Sequence, residues 1–371
     1  MLALLALVSI TGPAAAEASA DRPSAVVALG DSYISGEAGR WEGNTPRESG
    51  DRRGTDRASF RNRWGWWRYD EALVYGPSGA SGCHRSDVAP IRSSGIEVDE
   101  LINLACSGSA TGNLIRAANG GRGYRGEPPQ ADQLMGTATT HDVEMIVVSI
   151  GGNDLGFASI ILDCAIDYLS SSSRWPRTCN REQQRAIDLR MDRVMDDVGA
   201  VLDEIRAVMG EAGYGRGDYR LVLQSYASPV PSGDEFRYRE SGWSRAASGR
   251  CPFWDVDATW ARDSFVPQLS SNLAAVAAAR GVEFLDLQDA LEGREVCATT
   301  TSPGDGPRAS WARFVTTGLL QGEAQESLHP NAHGQQANGT CLRLLHAASP
   351  GAYRCDNVAG AGPESMILTR L

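Results

Sequence analysis

The chain has 371 residues, 35 basic and 46 acidic side chains, and a formal net charge of −11. That balance excludes a general nucleic-acid binder, which needs a basic footprint, and 42% hydrophobic with 22% charged residues excludes a chiefly disordered chain. All 35 basic residues are arginine, which also excludes Schiff-base lysines, Ser–Lys dyads and P-loop lysines.

Residues 1–10 are a short apolar run, and small residues follow to Ala20. The run is too short to span a bilayer and has the form of a signal-peptide core. Residues 1–20 are therefore expected to be a signal peptide, cut after Ala16 or Ala20. The mature chain, 21–371, is expected to be a single secreted domain with no transmembrane segment.

Apolar runs at 25–29, 101–105, 145–150, 221–225 and 282–287 predict five strands covered on both faces. Helical spacing is clearest over 181–209, where Ile187, Met191, Val194, Met195, Val198, Val201, Leu202 and Ile205 share a face. A second helix is expected over 258–280, with Gly281 as its C-cap. Strands alternating with helices imply βαβ units and a parallel sheet. The remaining length falls in insertions near 37–100, 156–180, 228–257 and 293–325.

The eight cysteines form no CxxC, which argues against zinc or redox motifs. An even count in an exported chain points to disulfides. Eight cysteines allow 105 pairings. Joining sequence neighbours gives the expected set: Cys83–Cys106, Cys164–Cys179, Cys251–Cys297 and Cys341–Cys355. Each would contribute about 2–4 kcal/mol by closing a modest loop.

Ligands of a parallel sheet bind beyond the carboxyl ends of its strands. The first predicted strand ends in Gly30-Asp31-Ser32-Tyr33, the second in Cys106-Ser107-Gly108-Ser109, and the third in Gly151-Gly152-Asn153-Asp154. Late in the chain comes Glu326-Ser327-Leu328-His329-Pro330. These are the parts that acyl transfer through serine requires. A serine hydroxyl needs a general base, and histidine titrates near the working pH. The oxyanion needs preorganised donors, which the N–H groups of Ser32 and Gly108 and the amide of Asn153 could supply.

With these four blocks in this order, the chain resembles the SGNH (GDSL) hydrolase superfamily, and in particular its larger secreted actinobacterial esterases and lipases. The Cys83-His84-Arg85-Ser86 segment adds to the resemblance. The resemblance implies a three-layer α/β/α flavodoxin-like fold with a five-stranded parallel sheet and long disulfide-braced insertions. It implies hydrolysis of carboxylic esters with Ser32 as nucleophile, His329 as base, and Ser32, Gly108 and Asn153 as the oxyanion hole. The expected partner is an ester substrate, either a lipid or an acylated glycan. No metal or other cofactor and no nucleic acid is expected, and the chain is expected to be monomeric.

One departure stands out. The family usually has Asp three residues before the histidine, and here the position is Glu326. Either Glu326 orients His329 as a third member, or a main-chain carbonyl does so and the centre is a dyad. Phospholipase, carbohydrate deacetylase and acyltransferase activity remain open for the same centre. So does a glycan-binding module that has lost catalysis.

Other motifs receive plainer readings. Asp31 and Asp154 are expected to brace loops, and His84 to be structural. His329 and His333 lack the HExxH order of a zinc site. No GxSxG elbow is present. Residues 47–69 hold seven arginines and three acids with Trp64, Trp66 and Trp67. Those tryptophans are expected to pack the insertion over the core.

Overall fold

The computed structural model of the protein describes residues 22–44, 55–304, 306–316 and 322–371. The expected signal peptide lies outside the described residues. The strands are β1 (Ser24–Gly30), β2 (Ser59–Arg61), β3 (Trp67–Tyr69), β4 (Glu100–Asn103), β5 (Asp142–Ser149), β6 (Arg220–Gln224), β7 (Glu283–Asp286), β8 (Ala352–Asp356) and β9 (Ile367–Arg370). Seven of them form one sheet in the order β4-β1-β5-β6-β7-β8-β9, and β2 pairs with β3 apart from it.

All pairings in the large sheet are parallel except the last, in which β9 runs antiparallel to β8. The five expected strands are its first five. Among the described residues the sheet has seven strands, which corrects the expected five. The two C-terminal strands escaped notice for a physical reason. β8 alternates buried and half-buried residues, and β9 is largely exposed. Strands covered on one face, as β8 is, or lying exposed at the sheet edge, as β9 is, carry no continuous apolar run. In β1, by contrast, Ala25 to Leu29 are fully buried.

Helices cover the sheet. The Asn180–Glu211 helix buries the eight apolar residues that its spacing singled out. Asp257 Oδ1 accepts from the N–H groups of Cys179 and Asn180 and so caps it. This helix packs between the Gln130–Thr140 and Val266–Arg280 helices. The latter continues from Asp255–Trp260 through a π turn at Ala261–Phe265. Pro267 cannot donate to the carbonyl one turn back, and the widened turn accommodates that loss. Gly281 closes the helix with φ 57°. Elsewhere the Ala332–Ala347 helix packs on the short Pro90–Ser93 helix.

The four disulfides join sequence neighbours as expected, and no cysteine is free. Among the described residues no helix is long and apolar enough to cross a membrane.

The packing expected of the tryptophans is corrected. Trp64 and Trp66 are each 66% exposed, and Trp67 is half-buried. β2 and β3 have only three residues each and form a hairpin apart from the large sheet. Its base touches a small cluster of Ala58, Val74 and Tyr75.

The chain visits β1, then β4 on one side, then β5 on the other. The strand order therefore reverses at β1. The crevice beyond the carboxyl ends of β1 and β5 is the topological switch point, where sheets of this kind bind ligands.

Candidate active site

β1 ends at Gly30, whose φ is +138° and where a Cβ would run into the Ser149 carbonyl of β5. Only glycine allows this close approach. The Gln130 side chain holds both main-chain groups of Gly30: Oε1 accepts from its N–H at 2.7 Å and Nε2 donates to its carbonyl at 2.8 Å. Asp31 then caps the short Ser32–Ser35 helix, its Oδ1 accepting from Tyr33 N–H. Ser32 is thus the first residue of a helix, with its N–H left outside the helical ladder.

The loop after β4 carries Gly108. The Cys83–Cys106 disulfide pins it, with Ser107 N–H bonded to the Cys83 carbonyl. Gly108 has φ +89°, and a Cβ there would stand 2.6 Å from the Tyr124 hydroxyl. The loop after β5 carries Asn153, whose Nδ2 donates to the Ser109 carbonyl at 2.8 Å. That bond fixes the amide and joins the second and third loops. Asp154 adds a second tie by accepting from Thr111 N–H and Oγ1.

His329 arrives from the far end of the chain. Its Nε2 is 2.6 Å from Ser32 Oγ, and its Nδ1 is 3.0 Å from the Ser327 carbonyl oxygen. A carbonyl can only accept, so Nδ1 carries the hydrogen. Nε2 is then the bare nitrogen, facing the serine hydroxyl. Several contacts hold this loop. Leu328 N–H donates to the Arg313 carbonyl, Arg313 N–H donates to the His329 carbonyl, and Tyr33 Oη donates to the Leu328 carbonyl. Leu328 has φ +58°, a conformation that non-glycine residues adopt at a cost. Asn331 caps the following helix.

Glu326 is buried behind the loop. Its carboxylate accepts from Trp41 Nε1 at 2.9 Å, Tyr75 Oη at 3.1 Å and Glu323 N–H at 2.8 Å. It makes no hydrogen bond to the imidazole. Burial raises its pKa, the Arg40 charge opposing and the nearby Glu37 adding to the rise.

Beside it lies a second buried pair, Glu37 and His84, 2.9 Å apart, with His84 stacked on Tyr75. Burial works against both charges. The bond between the two outweighs it, lowering the carboxyl and raising the imidazole. His329 differs. Burial lowers its pKa, and Glu37 and the Ser327 carbonyl offset this only in part. His329 is therefore neutral at neutral pH.

Asp31 is also buried. Tyr226 Oη donates to its Oδ2 at 2.6 Å and accepts from Gly152 N–H at 3.0 Å. Burial pushes Asp31 up to about 7 despite the Tyr226 and Tyr33 bonds. A chain Asp31–Tyr226–Gly152 thus links the Ser32 loop to the Asn153 loop.

Ser32, Asn153 and His329 all line one cleft of about 300 Å³. Phe157, Ile161, Leu162 and Val315 give it an apolar lining. Gly108 stands on the adjoining loop. The chemistry this arrangement allows is attack by a serine oxygen, proton uptake by imidazole, and donation to a new oxyanion. Gln130, Tyr226 and Tyr33 escaped sequence reasoning. Gln130 follows Pro128-Pro129 with no motif around it. Tyr33 is part of the Gly30–Tyr33 block and gave no sign of its bond to Leu328.

Residues 28–337 match the model of the GDSL-like lipase/acylhydrolase family, and the chain belongs to that family. An esterase of Streptomyces scabiei is 27% identical over 218 residues, which cover 55% of this chain and 59% of that esterase. The fold is similar to the crystal structure of phospholipase A1 from Streptomyces albidoflavus NA297. The TM-score is 0.52 at 20% identity, over 88% of this chain and 100% of that one.

Proposed function

We propose that this member of the GDSL-like lipase/acylhydrolase family is an exported serine esterase that cleaves carboxylic esters through an acyl-enzyme. The observation that carries the reading is the 2.6 Å contact of Ser32 Oγ with His329 Nε2 in a cleft with an apolar lining. In the proposed reaction Ser32 Oγ attacks the ester carbonyl as its proton passes to His329 Nε2. The oxyanion takes hydrogen bonds from Ser32 N–H, Gly108 N–H and Asn153 Nδ2. Collapse breaks the bond to the alcohol, which leaves with the proton from Nε2. Water then attacks the acyl-enzyme, gives a proton to Nε2, and the acid departs as that proton returns to Ser32.

The imidazolium formed midway is stabilised by the Ser327 carbonyl rather than by a carboxylate in contact with it. The negative Glu37, buried nearby, favours the same charge. In this reading the centre is a dyad, and Glu326 shapes the loop.

The apolar lining favours an aliphatic acyl chain over acetate. Each methylene buried along Phe157, Ile161 and Leu162 is worth about 0.8 kcal/mol. Nitrophenyl esters from acetate to palmitate test this, with Ser32→Ala alongside. kcat/KM should rise with chain length beyond acetate and vanish in the variant. A preference for acetate would point to a deacetylase, and activity in Ser32→Ala would end the serine mechanism. Export is supported by the apolar leader and the four disulfides. N-terminal sequencing of protein from culture medium should find a start after Ala16 or Ala20.

A further inference from the structure

The hairpin of β2 and β3, residues 59–69, has no part in the chemistry above. Its charge runs against that of the whole chain. The molecule carries a net charge of −11, yet this segment contains three arginines and no acid. Among the described residues Arg61, Arg63 and Arg68 form no ion pair. Trp64 and Trp66 at the turn are 66% exposed, Tyr69 46% and Phe60 40%. Trp64 and Trp66, held in water at a cationic tip, add little to the stability of the fold itself.

We propose that this hairpin is an anchor for an anionic lipid surface. Tryptophan partitions to the boundary between headgroups and acyl chains. Arginine forms bidentate bonds with phosphate. The charge of the hairpin is complementary to anionic headgroups, whereas the rest of the molecule is repelled by them. Arg63 stands 3.9 Å from the ring centre of Trp64, and Arg61 4.9 Å from that of Trp67. A guanidinium already covers one face of each ring. That arrangement suits insertion of an Arg–Trp pair into an interface better than stacking of a sugar on a bare ring.

The base of the hairpin is tied toward the active-site loop. The Arg40 guanidinium lies 4.0 Å from the Tyr69 ring and pairs with both oxygens of Asp56 at 2.7 Å. Its neighbour Trp41 bonds Glu326, three residues before His329. A molecule anchored by the tip would therefore hold its active site near the same surface. The inference does not depend on the proposed ester hydrolysis, because binding is read without turnover.

The test is co-flotation of the Ser32→Ala protein with vesicles of phosphatidylcholine, with and without phosphatidylglycerol. Flotation should require phosphatidylglycerol and weaken with salt. Changing Arg61, Arg63 and Arg68 together to Gln should weaken it on the order of 100-fold, at about 1 kcal/mol per arginine. Lysine at the three positions should restore most of the binding. Trp64→Ala with Trp66→Ala should also weaken it. In the Ser32 background all these variants should hydrolyse soluble nitrophenyl acetate as the parent does. Three results would overturn the proposal: no flotation, flotation indifferent to both sets of changes, or binding to a soluble anionic polysaccharide without binding to vesicles. Loss of soluble-ester hydrolysis in the hairpin variants would also overturn it, by showing a structural role. Esterase activity persisting in Ser32→Ala would remove the proposed reaction and leave the flotation result standing.

Discussion

The Ser327 carbonyl oxygen lies 3.0 Å from Nδ1 of His329, in the place where a triad carboxylate would stand. The nearby carboxylate, Glu326, is turned the other way and engaged by Trp41, Tyr75 and the Glu323 N–H. In the proposed mechanism this contact orients His329, and it makes a direct prediction.

Glu326→Gln should lower kcat by less than about tenfold and leave the pH–rate profile in place. Where a carboxylate orients the histidine, its conversion to the amide costs about 10⁴ in kcat. Steady-state kinetics across pH separate the two outcomes. A drop of that size with a displaced acid limb would assign Glu326 to the imidazole after all.

The donors proposed for the oxyanion have separate signatures. Asn153→Ala should lower kcat by about 10²–10³ with little change in KM, as loss of one such donor does. Gly108→Ala should also lower kcat, because its φ of +89° and the Tyr124 hydroxyl both oppose a Cβ. Full kcat in Gly108→Ala would contradict this, by showing that the loop takes a Cβ without displacing that N–H.

Burial lowers the pKa of His329, so the free imidazole persists to more acidic pH than usual. The acid limb of kcat/KM should therefore fall below the ordinary histidine value of about 6.5. A limb above that value would mean that Glu37 dominates over burial.

Asp31 predicts the pH dependence of stability. Its carboxyl is pushed up to about 7 in the fold, against about 3.9 in an unfolded chain. Between these values the folded state holds a proton that the unfolded state has released. Stability from this group is therefore present below about pH 4 and lost as pH rises through about 7. Asp31→Asn removes that loss. Calorimetry at pH 5 and pH 8 should show a smaller decline in Tm than in the parent. An unchanged decline would mean that Asp31 is ionised in the fold.

What the sequence revealed follows from what sequence patterns encode. Five strands were legible because buried parallel strands are continuous apolar runs, and the Asn180–Glu211 helix because its buried face repeats at helical spacing. β8 and β9 were not, since a half-covered strand and an exposed edge strand lack such a run. Ser32, Asn153 and His329 were legible as side chains in motif blocks, and they meet around one cleft. The Ser327 carbonyl carries no such mark, because every residue has a carbonyl and only the fold aims this one. Gln130 was hidden for a related reason: its amide completes the main-chain pairing of Gly30, a role set by tertiary placement. The tryptophans misled because aromatic composition records a large area without saying which side of it meets water.

The most direct test of the central claim is covalent labelling with a fluorophosphonate, read by peptide mass spectrometry beside residual ester hydrolysis. One label per chain is expected, on Ser32, with activity lost in proportion and no labelling after His329→Ala. Labelling of another serine that tracks the loss of activity, or full activity with Ser32 labelled, would contradict it.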